Sequence, residues 1–254
     1  MPHIVRRALA VAALAGCVVS AGACAVPSVD DDAAPLADIT TSRDVAQAEN
    51  GIDELTPRQA LDVVLETLQE KGSFTVTGSM MRGGRLDITY VVDVGAAGSI
   101  GESADDESPV EMIAADDTIY VTGDEEFLAE SVGEEAAEAI ADKWVLLSEE
   151  SAESFEVLAD GRRFTEMVFD RVGPPADMTG VREVDGAPAV GLLFDDTGAI
   201  LWVAASGDPV PVRLEEKGAS GDTGVLRFKD VGSEVDLEVP DEDSVVDAEK
   251  LLED

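Results

Sequence analysis

Two long stretches of this chain alternate apolar and polar residues with a period of two, and a helical stretch separates them. In the first, Phe74, Val76 and Met80 alternate with serines and threonines. Leu86, Ile88, Tyr90, Val92 and Val94 then alternate with Asp87, Thr89 and Asp93. Val110 to Ala115 and Thr118 to Thr122 flank Asp116-Asp117. In the second stretch, Thr179 to Val184, Ala187 to Phe194, Ala199 to Ala205, Val210 to Glu216, Val225 to Asp230 and Val235 to Val239 read as strands. A period of two puts apolar side chains on one face of a strand, the pattern of an antiparallel sheet with one buried side. Gly83-Gly84, Gly95 to Gly98, Asp185-Gly186 and Asp195 to Gly198 read as the turns between them.

The helical signals are local. Thr56-Pro57-Arg58-Gln59 supplies an N-cap, a proline at the first helical position and a glutamine placed for a capping box. Leu61, Val64, Leu65 and Leu68 follow at helical spacing, and Lys71-Gly72 closes the run. The middle stretch predicts helix over Asp124 to Asp142, a strand over Trp144 to Leu147, and helices over Ser151 to Leu158 and Arg163 to Val172. Pro174-Pro175 ends the last. Strands grouped apart from helices indicate an α+β fold.

Charge removes whole classes of partner. The 254 residues carry 55 Asp plus Glu against 17 Lys plus Arg, a net −38. Such a surface repels phosphate backbones and anionic headgroups, so nucleic acid is excluded as a partner, and so is attachment to lipid through basic residues.

The N-terminal segment predicts export. Met1 to Arg7 is basic, Ala8 to Ala15 is wholly apolar, and Leu14-Ala15-Gly16-Cys17 follows. A basic region, a short apolar run and small residues before a cut are the parts of a secretory signal. The apolar run ends at Ala23, short of the about 20 residues a spanning helix needs. Leucine, two small residues and a cysteine resemble the bacterial lipobox, which implies cleavage before Cys17, a diacylglycerol thioether on it, and anchorage to the cell membrane on the extracytoplasmic face. Cys24 is the second choice, since Ala21-Gly22-Ala23 lacks the leucine. The other reading of the segment is an ordinary signal cut near Ala23. Arg6-Arg7 hints at twin-arginine export, with little support from Val5 and Ala8. The expected division is therefore a signal peptide over 1–16, a lipidated N-terminus and flexible acidic tether containing Asp30-Asp31-Asp32 over 17–54, and the domain over 55–254.

A family resemblance rests on Asp117 to Val121, Lys143-Trp144-Val145, Leu201 to Leu214 and Phe228 to Gly232, of which the Trp202 to Leu214 stretch is the most specific. The chain resembles the actinobacterial LppX/LprG-type lipoproteins, whose fold is like that of the carriers LolA and LolB. The resemblance implies a curved, unclosed antiparallel half-barrel of about 11–12 strands, with helices packed on its concave side around an apolar cavity. It implies a lipid, lipoglycan or acylated-protein ligand and no catalytic residues. Candidate lining residues are Phe74, Val76, Ile88, Tyr90, Met112, Phe164, Met167, Leu192 and Phe194, with the Pro57 to Lys71 helix at the mouth or inside. The competing expectation is that these side chains are simply core, in a scaffold or interaction lipoprotein without cargo.

Enzymatic readings find little purchase. The only histidine, His3, lies in the segment that cleavage removes, which excludes histidine-dependent triads and histidine metal sites. Asp-Thr-Gly occurs at 196–198 and 222–224, but between predicted strands, where those residues form turns. Acid clusters such as Asp105-Asp106-Glu107 lack EF-hand spacing, and paired carboxylates are common by chance in so acidic a chain. The expectation is a non-enzymatic protein without cofactor or metal, with no protein partner identified.

Overall fold

A single sheet collects both alternating stretches. The computed structural model describes residues 47–81, 84–101, 109–132, 137, 140, 143–218 and 221–251, which lie in one compact unit. Cys17, Cys24, the signal peptide, the tether up to residue 46, Gly83 and Asp105-Asp106-Glu107 lie outside the described residues.

The strands are β1 (Ser73–Ser79), β2 (Arg85–Val91), β3 (Gly95–Gly101), β4 (Val110–Ala115), β5 (Thr118–Thr122), β6 (Trp144–Leu146), β7 (Asp177–Met178), β8 (Arg182–Val184), β9 (Ala187–Phe194), β10 (Ala199–Ala204), β11 (Pro211–Lys217), β12 (Thr223–Lys229) and β13 (Val245–Asp247). Their order across the sheet is β13-β6-β5-β4-β3-β2-β1-β12-β11-β10-β9-β7, with β8 also paired to β9. The end strands do not meet, so the sheet is unclosed. Every pairing is antiparallel except β13 with β6. The two meanders join where β1 pairs β12, with Val76 opposite Phe228.

Alternation sends one set of side chains inward. Phe74, Val76, Leu86, Ile88, Tyr90, Met112, Val121, Val145, Leu192, Phe194, Leu201, Leu214, Leu226 and Phe228 form one buried cluster. Two main helices lie on that face. The first, α1 (Pro57–Lys71), begins with the expected capping box: Gln59 N–H donates to Thr56 Oγ1, and the Gln59 side chain accepts from the Thr56 amide. It ends at Gly72 in the left-handed region, φ 78°. Ala60, Leu61, Val64 and Leu68 form its buried stripe. Fully burying each leucine or valine stabilises the fold by about 1.5–3 kcal/mol. The shorter helices are α2 (Glu125–Val132), α3 (Glu149–Ala152) and α4 (Glu156–Ala159), and α6 (Ala248–Leu251) closes the described chain. The second main helix, α5 (Gly161–Val172), buries Phe164, Val168, Phe169 and Val172.

The α+β reading and the unclosed sheet hold, with several local corrections. Gly95 to Gly98 is not a turn but the start of β3; the turn is Val92-Asp93-Val94, with Asp93 at φ 61°. Small residues are required in β3 because a Cβ on Gly95 would sit 1.9 Å from the Ala114 carbonyl oxygen. Val235 to Val239 makes no ladder, and Val239 is exposed. The edge beside β6 is filled instead by β13. Of the expected Thr179 to Val184 strand only Arg182 to Val184 forms β8, with the two-residue β7 lying just before it, and Ser151 to Leu158 divides between α3 and α4. Arg163 to Val172 begins two residues earlier, because Asp160 caps it by accepting from the Arg162 and Arg163 amides.

Packing against the domain also begins before Leu55. Ile52 is buried, Glu49 N–H donates to the Ala205 carbonyl at 2.7 Å, and Asn50 Nδ2 donates to the Ala204 carbonyl at 2.9 Å.

Candidate ligand-binding interior

The candidate site lies where α5 meets the inner face of β1 and β2. Phe74 and Tyr90 are directly opposite in register, and their ring centroids are 5.0 Å apart. Phe164 of α5 stacks on Tyr90 at 5.2 Å and 24°. Phe228 of β12 lies 6.2 Å from Phe74. These distances fall in the range where aromatic pairs attract beyond their buried area.

Of the candidate lining residues, Phe74, Val76, Ile88, Tyr90, Met112, Phe164, Leu192 and Phe194 are buried in the same cluster. Met167 is partly buried and packs against its margin. The sheet and α5 therefore bring all of them to one interior.

One polar atom in that interior is orphaned. Tyr90 is fully buried, and its hydroxyl has no hydrogen-bond partner among the described residues. Burial pushes the phenol well above its ordinary range, and the nearby Asp160 carboxylate adds to the effect. The hydroxyl is thus a fixed, protonated donor.

The first turn of α5 covers this tyrosine. A Cβ on Gly161 would lie 3.1 Å from Tyr90 Cβ and 3.3 Å from Phe74 Cζ, so glycine lets the helix backbone press onto the rings. Gly161 also lines a surface cleft of about 370 Å³, together with Val91, Asp93, Ala114, Asp117, Ala159 and Asp160. The cleft is bounded by the β2–β3 turn, the β4–β5 turn and the α4–α5 junction. Asp116 and Asp117 turn the chain there at φ 51° and 61°, left-handed conformations that aspartate tolerates.

Polar contacts hold α5 at both ends. At the start, Arg162 bonds Asp93 and Gln69, and this hydrogen bond holds the Asp93 carboxyl below the usual carboxylate range. At the end, Arg171 pairs at 2.7 Å with Glu216, whose side chain is only 4% exposed. Sequence reasoning missed Gly161, Arg162 and Asp93. The Asp160-Gly161 pair ahead of the helical run was the one local signal available.

The Asp-Thr-Gly triplets occupy structural positions. Asp196-Thr197-Gly198 is the β9–β10 turn, with Gly198 at φ 67°. The second triplet is not the turn expected: Asp222 precedes β12, and Thr223-Gly224 are its first two residues. Among the described residues, no group of three or more His, Cys, Asp or Glu is placed to hold a metal, and no helix is long and apolar enough to cross a membrane.

No family model and no curated protein match the chain. Among solved structures it is similar to the Mycobacterium tuberculosis lipoprotein LppX. The identity is 14%, the match covers 72% of this chain and 98% of LppX, and the TM-score is 0.45.

Proposed function

We propose that this chain is a non-enzymatic envelope lipoprotein that binds an acyl-chain ligand between α5 and the sheet, anchored outside the membrane by a lipid on Cys17. The observation that carries the binding reading is the Tyr90 hydroxyl, buried among aromatic rings without a partner. Leaving such a group unsatisfied costs about 1–3 kcal/mol, and phenylalanine would fill the same space without that cost. Apolar walls with a few fixed polar groups are the composition of a small-molecule site. The cleft beside Gly161 supports a way in, because the same glycine lines it and covers Tyr90. The anchor reading rests on Leu14-Ala15-Gly16-Cys17.

The test is mass spectrometry of lipids extracted from the full chain purified from its native membrane. Lipid enriched over a mock purification is expected. Recovery equal to the mock would overturn the reading.

A second reading, a scaffold lipoprotein without cargo, is favoured by the close contact of Phe74, Tyr90, Phe164 and Gly161. It requires protein that is lipid-free as isolated and whose melting temperature is unmoved by added acyl ligands.

A further inference from the structure

Resting on the acyl-binding reading above, we infer that Tyr90 recognises an uncharged carbonyl, an ester or amide at the head of the bound chain, and discriminates against a free carboxylate. The argument begins with what the hydroxyl can do. A protonated phenol surrounded by hydrocarbon offers one donor hydrogen, and its natural complement is one acceptor on the ligand. Phe74 and Phe164 both pack against the ring, so the ring's position is set before the ligand arrives.

Charge decides which acceptor fits. The carboxylate whose charge bears on Tyr90 is that of Asp160, and it would repel a second anion there. Among the described residues, no cationic side chain bonds the hydroxyl. The Arg162 guanidinium is engaged by Asp93 and Gln69 and that of Arg163 by Glu156, while Arg171 is held by Glu216 at the far end of α5. A carboxylate entering this interior would give up its hydration and gain a single hydrogen bond without a counter-charge. An ester carbonyl has far less hydration to lose, and one donor satisfies it. The site therefore prefers acyl chains whose carboxyl group is already condensed to an alcohol or an amine.

The test uses full-chain protein, stripped of lipid and loaded with the uncharged fluorophore N-phenyl-1-naphthylamine. Methyl laurate and sodium laurate are then titrated as competitors, in the wild type and in Tyr90→Phe. The quantity read is the ratio of the two competitors' midpoints within each protein, so a fraction of inactive material cancels. Tyr90→Phe should weaken the ester by about fivefold to tenfold and leave laurate unchanged, collapsing the ratio by that factor. An unchanged ratio would overturn the role of Tyr90 while leaving acyl binding intact. If neither the fluorophore nor either competitor binds, the acyl-binding reading falls, and this inference with it.

Discussion

Arg162 grips Asp93 through two contacts, Nε to Oδ1 at 2.7 Å and Nη2 to Oδ2 at 2.9 Å, and reaches Gln69 Oε1 with Nη1 at 2.7 Å. One side chain thus ties the first turn of α5 to the β2–β3 turn and to the end of α1, beside the cleft that Asp93 and Gly161 line.

Breaking this clasp should affect the site more than the fold. Both side chains are substantially exposed, and exposed pairs contribute little to stability. Asp93→Asn should therefore melt close to the wild type yet release a bound fluorophore faster, as stopped-flow dilution would show. The pH dependence has a definite sign. The folded carboxyl sits below its ordinary value because Arg162 bonds it, so its contribution is complete above the unfolded value of about 3.9 and is lost as pH falls through the folded value. The difference in melting temperature between wild type and Asp93→Asn should be constant above about pH 5 and shrink below it. A difference that grows on acidification would refute the assignment.

Gly161 should tolerate no branched side chain. Its nearest neighbours are Cβ of Tyr90 and the Phe74 ring, neither of which can swing away without disturbing the sheet's inner face. Gly161→Val should cost about 1–3 kcal/mol through overpacking, read as a lower denaturation midpoint. If α5 instead lifts to accommodate the valine, the near-ultraviolet signal of Tyr90 will change while stability holds.

The Arg171–Glu216 pair makes an asymmetric prediction. Glu216 projects to the inner side of β11, nearly removed from solvent, whereas Arg171 is about one-third exposed. Removing the arginine leaves a buried carboxylate without its partner, while amidating the glutamate removes the charge and keeps a hydrogen-bonding group. Arg171→Ala should destabilise by about 2–4 kcal/mol, somewhat below a fully buried pair, and Glu216→Gln by less. Urea unfolding of both variants gives the order directly, and the reverse order would mean that the pair does not clamp α5.

The readability of this chain follows the range of each interaction. The α1 helix was legible because Thr56, Pro57, Gln59 and Gly72 act within a few residues of one another. The inner face was legible because the pleat turns a period of two into a surface, which is why Phe74, Ile88, Tyr90 and Leu192 meet. β3 was not legible. Gly95-Ala96-Ala97-Gly98 has the composition of a turn, and it is a strand because β2 and β4 close on both sides and leave no room at Gly95 and Gly98 for a Cβ. The parallel pairing of β13 with β6 and the clasp between Arg162 and Asp93 join residues far apart in sequence, where no periodicity points.

The anchor can be tested apart from the ligand. If Cys17 carries the lipid, Cys17→Ala should move the full chain from the membrane fraction to the medium, because no helix among the described residues is long and apolar enough to cross a bilayer and the chain's net charge of −38 opposes adsorption to anionic lipid. The diacylated N-terminal peptide should vanish from the mass spectrum at the same time. A single acyl chain binds a membrane only marginally, so the two chains of a diacylglycerol thioether are what make retention stable. Cys24→Ala should remain membrane-bound. Release of Cys24→Ala with retention of Cys17→Ala would move the anchor to the second cysteine, lengthening the excised segment by seven residues and shortening the tether by the same number. Release of the wild type itself would mean a plain secretory signal, and the domain, with the acyl binding proposed for it, would then act free of the membrane.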